Sequence, residues 1–209
     1  MSIAEERVKV KVCRKYFYED LSFWALVVSN LAVIVWALAQ QWPIGTIMWI
    51  YWGQSVSIGI FWFSKLLSLK QFSTKDFKIN DRPVEPTRAT KIQTSVFFLI
   101  HYGFFHLGYA VFLCAEFGFA PFYQALAPIG IFAIYQGHSF FYHRKWLARQ
   151  KPNIGTMMFF PYARIIPMHL TIIFAFTYEG QTYALVLFLF LKLLADVFMH
   201  IVERRNFAD

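Results

Sequence analysis

The sequence predicts an all-α integral membrane protein, a six-helix bundle with both termini in the cytoplasm. Three observations carry that expectation. Hydrophobic residues make up 58% of the 209 positions and charged ones only 15%, where an ordinary soluble domain has about 25% charged. Six apolar runs, each close to the roughly 20 residues that a bilayer-crossing helix needs, are bounded by charges or by Pro and Gly. The Lys and Arg residues between the runs fall on one side only. Five precede the first run, seven lie from Lys65 to Lys91, four from Arg144 to Lys151 and two follow the last run, together 18 of 20. Cytoplasmic loops carry such an excess of positive charge, so the distribution orients the bundle.

A cytoplasmic segment, 1–20, leads into a span over 21–39. Ala37-Leu38-Ala39 at its end resembles a signal-peptidase site. The run is longer than the roughly 7–15 residues of a signal peptide's apolar region, so the first span is expected to be retained. The second span covers 44–69. The polar stretch 71–94 contains Asn80-Asp81-Arg82-Pro83 and Pro86, and reads as a cytoplasmic loop with turns. Spans over 95–117, 120–143, 157–178 and 182–202 complete a membrane domain over 21–203, and 204–209 form a cytoplasmic tail. Trp42, Tyr123 and Trp146 near span ends fit interfacial belts.

Composition excludes several classes of function. Six spans consume more than half the chain, so a large soluble catalytic domain has no room. The two cysteines, Cys13 and Cys114, offer neither a disulfide framework nor a thiolate zinc cluster. The net charge of +8 follows topology, so its expected partners are the bilayer and its anionic head groups, and not nucleic acid. Ser139 beside His138 has no acid nearby in sequence, so nucleophilic catalysis gains no support. No internal repeat of the kind that builds many transporters is evident.

The informative residues are polar groups inside apolar runs, where each ionisable group costs roughly 2.5–3.5 kcal/mol on insertion scales. All six histidines, His101, His106, His138, His143, His169 and His200, fall in the third to sixth spans with Arg164, Lys192 and Asp196. Gln54 lies in the second span and Gln136 in the fourth. At about 1.5 Å per residue, His101, His138 and Asp196 lie about 8–9 Å from the cytoplasmic ends of their spans and His169 about 18 Å at most. Lys192, Asp196 and His200 recur every fourth residue and form one stripe. His101 and His106 diverge by about 140°, as do His138 and His143, so one of each pair faces the bundle. Pro161 and Pro167 start or kink the fifth span around Arg164 and His169.

Neutral imidazoles suit Fe, Cu and Zn. The expected site is therefore a transition-metal centre held by His101, His138, His169, His200 and Asp196, or a haem with two of the histidines as axial ligands. Arg164, Lys192 and Asp196 supply catalytic groups for redox or hydrolytic chemistry on a membrane-soluble small molecule. Gln54, His106, Gln136 and His143 are further polar intramembrane positions. Two alternatives stand beside this reading. The stripe and the histidines can act as a relay in a proton- or ion-coupled transporter, or the chain is a non-catalytic structural or assembly subunit of a larger membrane complex. Taken singly, each histidine is also explained as an interhelical hydrogen bond worth about 1 kcal/mol or less.

Tyr51-Trp52 with Gln54, His101-Tyr102-Gly103, Ser139-Phe140, Pro161-Tyr162-x-Arg164 with His169, and Lys192 with Asp196 and His200 together resemble a widespread group of small bacterial polytopic membrane proteins. That group is known only as a domain of unknown function. The resemblance covers the second through sixth spans and implies an inner-membrane, multi-pass fold and the same polar residues, with no activity attached. Two positions depart from the group: Gly53-Gln54 stands where it often has Glu-Asn, and Gln136 where a His is expected, with His138 two positions on.

Overall fold

The computed structural model describes residues 43–147, 151–175 and 181–207. Ahead of these it describes only Trp24, Val27, Val28, Leu31, Val35 and Ala39, each helical. At 135, 139, 142–147, 164, 171–175, 181–184 and 199–207 it describes backbone alone. The segment 1–20 and most of the first expected span thus lie outside the described residues.

Among the described residues the fold is all-α apart from one small hairpin. Helix α1 (Ile44–Ser68) begins after Pro43 and coincides with the second apolar run. Strands β1 (Lys78–Ile79) and β2 (Arg82–Pro83) pair antiparallel. They are joined by Asn80 and Asp81, both at positive φ of 50° and 61°, the backbone that a two-residue hairpin turn requires. Helix α2 (Arg88–Phe117) begins before the apolar run at Ser95 because Thr87 caps it, its side chain accepting from Thr90 N at 3.2 Å. It ends at Gly118, whose φ of 69° is a backbone that glycine adopts without steric cost.

Helix α3 (Ala120–Leu147) follows almost directly. The fifth apolar run is broken into α4 (Ile154–Phe159), a 3-10 turn (Phe160–Arg164) and α5 (Ile165–Ala175). Pro161 stands in the first turn of the 3-10 segment, and a proline cannot donate to the preceding turn of a continuous helix. Helix α6 (Gln181–Phe207) closes the fold.

The centre of the bundle is α1, which packs against α2 and α3 and touches α6. Its indoles stitch it to its neighbours: Trp49 donates to Gly118 O at 3.3 Å, Trp52 to His106 O at 2.8 Å and Trp62 to Met157 O at 2.6 Å. Leu66, Phe98, Leu113, Ala125, Ile154 and Phe188 are fully buried between them. Among the described residues, α2 is the one helix long and apolar enough to cross a membrane.

Candidate functional site

A buried three-residue polar network lies between α1 and α2. On α1 the stretch Gly53, Ser55, Ser57 and Gly59 is buried and small. On α2, Tyr102 and His106 are one helical turn apart and so share a face. A Cβ at Gly59 would lie 2.6 Å from Tyr102 Cε1, so the missing side chain is the space that the tyrosine ring occupies. Its hydroxyl lies 2.8 Å from Ser55 Oγ and 3.1 Å from Ser55 O, and His106 Nε2 lies 2.9 Å from the same Oγ.

The partners fix the tautomer. His106 Nδ1 is 2.8 Å from the Tyr102 carbonyl, which only accepts, so Nδ1 carries the proton and Nε2 presents a lone pair. Ser55 therefore donates to Nε2, and Tyr102 donates towards Ser55. Both nitrogens of His106 are spent on protein groups in a closed, neutral network.

Other histidines repeat the pattern. His101 Nδ1 lies 2.8 Å from the hydroxyl of Tyr162, and the His101 ring is flanked by Phe97 and Phe105 at 5.2 Å each. Tyr109 on α2 brings its hydroxyl to 3.3 Å from His169 Nδ1 on α5. Helix α2 is thus joined through imidazole–hydroxyl pairs to α1, to the 3-10 turn and to α5. On α6, Lys192 Nζ sits 2.7 Å from Asp196 Oδ2, and Asp196 is buried.

Of the expected ligand set, His101, His138 and His169 are exposed, and His106, expected only as an additional polar position, is the buried one among the described histidines. The 140° divergence of His101 and His106 explains why one of them is inside, and Ser55 decides which. No three of the described His, Cys, Asp and Glu residues are grouped so that they could hold one metal ion. The side chains of Arg164, His143 and His200 lie outside the described residues. Gln54 and Gln136 are half-buried and enter none of these pairs. At Gly53, where the resembling group often carries Glu, a Cβ would fall 2.3 Å from Ile129 Cδ1, so this position serves the close approach of α1 and α3.

Beside the His101–Tyr162 pair lies a groove of about 830 Å³. Phe105, Phe159, Ile166 and Phe198 line it from four helices, with Tyr162 on its wall. One end is polar and is built by two loops. Ser73 pairs with Asn153, Ser73 N donates to Pro152 O at 2.9 Å, Ile154 N to Ser73 O at 3.0 Å, and Asn153 Nδ2 to Lys75 O at 2.7 Å. Lys75 and Asp76 line the groove at this rim. Sequence reasoning misses Ser55, Tyr109 and the rim altogether. Tyr102 and Tyr162 stand in its motifs without a role, although the one-turn spacing of Tyr102 and His106 is a signal that the two share a face.

Fold and site define a class: an all-α chain in which His101, His106 and His169 are paired with hydroxyls across helices, beside an amphipathic groove. The chain belongs to a family of unknown function, DUF6498, which matches residues 13–209. No curated protein and no solved structure matches it.

Proposed function

We propose that this chain is a multi-pass protein of the cytoplasmic membrane, both termini inside, that binds a membrane-dissolved amphiphile in the groove beside Tyr162. The observation that carries the reading is the exterior. Large apolar side chains face outward on every long helix: Ile60 on α1, the stripe Ile100, Phe104, Leu107 and Val111 on α2, Ile131 and Ile134 on α3, and Phe190 and Leu194 on α6. Phe104 is 71% and Ile134 75% exposed. A soluble monomer rarely shows contiguous apolar patches beyond a few hundred Å², whereas hydrocarbon is the matching solvent for such a surface. The basic connections then lie on the cytoplasmic side, and the groove's loop rim, which joins residues 73–77 to 152–156, lies there with them.

Within the groove, Tyr162 is the hydroxyl on an otherwise apolar wall, and His101 Nδ1 at 2.8 Å orients it. That pair meets a polar group of the ligand below its head. His106 spends both nitrogens on protein groups and is no ligand candidate, whereas His101 and His169 are held by tyrosines at Nδ1 alone, which leaves Nε2 for the metal or haem that stands as the second reading.

Carbonate extraction and topology reporters test the membrane part. The protein is expected to stay in the membrane pellet at alkaline pH. A periplasm-active phosphatase fused after Gly118 is expected to be active, and a fluorescent protein fused after Asp209 to fluoresce. Release into the supernatant, or the reverse reporter pattern, would overturn it.

A further inference from the structure

We infer that the groove's occupant is an amine-bearing zwitterionic phospholipid of the cytoplasmic leaflet, its phosphate against Lys75 and its ammonium against Asp76. This deepens the reading above and rests on it. The groove is polarised along its length, with charges confined to the loop rim and aromatic and aliphatic side chains below, which is the polarity of a leaflet lipid standing head outward. Its two rim charges are adjacent and opposite, and neither forms an ion pair among the described residues. A purely anionic head would satisfy Lys75 and be repelled by Asp76. A head that carries both charges meets both side chains, and a primary ammonium, unlike a trimethylammonium, also donates charge-assisted N–H hydrogen bonds to the Asp76 carboxylate.

The rim is also held in place. Asn153 fixes the Lys75 carbonyl, and Lys75 N lies 3.2 Å from Ser73 Oγ. Asp76 adopts φ of 60°, a left-handed backbone that Asp tolerates better than most residues. Holding the loop there fixes where its carboxylate starts.

The experiment is native mass spectrometry of the full-length protein released from vesicles of equal parts phosphatidylethanolamine, phosphatidylglycerol and phosphatidylcholine. The ethanolamine lipid is expected to be retained over each of the others by about threefold to fivefold, the scale of an exposed ion pair. Asp76→Asn should erase that preference without lowering glycerol-lipid retention. Lys75→Gln should lower retention of all three, and Asp81→Asn, outside the groove, should change nothing. Equal retention of the three lipids, or a preference that survives Asp76→Asn, overturns this inference and leaves the amphiphile site standing. Retention of none of them overturns both.

Discussion

Replacing His106 with alanine is expected to lower stability by about 3 kcal/mol, through the cavity left by a buried imidazole and the stranding of its hydroxyl partner. His106 is 5% exposed, and Ser55 would lose the acceptor at 2.9 Å to which it donates. Ser55→Ala should cost less, about 1–2 kcal/mol, because it leaves the ring in place and removes one link. Because the two residues belong to one network, the double variant should be more stable than the sum of the single losses predicts. His101→Ala, at an exposed position, should stay within about 1 kcal/mol of the parent. Melting in detergent, followed by tryptophan fluorescence, reads all four, since Trp52 donates to the His106 carbonyl. Equal losses for His101→Ala and His106→Ala would remove the buried network from its central place in the fold.

Gly53→Glu is the second large effect, and it runs against the resemblance. The related group often carries Glu here, yet in this chain the first added carbon would already meet Ile129 at 2.3 Å, 2.5 Å and 2.9 Å through three of its side-chain atoms. Overpacking of this kind costs about 1–3 kcal/mol, and an unpaired carboxylate between α1 and α3 adds more. The variant should accumulate poorly or melt well below the parent. Ile129→Ala should restore part of the loss in the double variant, by opening the space that the new side chain needs. No recovery would mean that the close approach at Ile129 is not the cause.

Much of the helical organisation is legible in the amino-acid sequence. The apolar run at 44–69 reappears as α1, and the run at 120–143 as α3, which carries Pro128 inside it and continues past Arg144 and Lys145 to Leu147. Helix α2 reaches further than its apolar run, since Thr87 caps it two turns earlier and a capped helix continues through polar residues. Pro161 and Pro167 signal a disturbance in the fifth run, and the 3-10 turn is its form.

The site is harder to read. Angular spacing separates His101 from His106, but the choice between them depends on Ser55, 51 residues away, and a serine among aromatic residues gives no periodic signal. The groove rim depends on Ser73 meeting Asn153, a contact between two loops that no local pattern encodes. Grouping histidines by depth alone places His101, His138 and His169 together, while His101 and His169 are held by different tyrosines, Tyr162 and Tyr109.

The most direct test of the central claim is photo-crosslinking in membranes with a phospholipid that carries a diazirine in mid-chain, followed by peptide mapping and competition with unlabelled lipid. Adducts at Phe105, Phe159, Ile166 and Phe198 should fall away as competitor is added, because they line one saturable groove. Adducts on the outer belt at Phe104 and Ile134 should persist. Labelling that is uniform around the helices, with no position protected by competitor, would contradict the account.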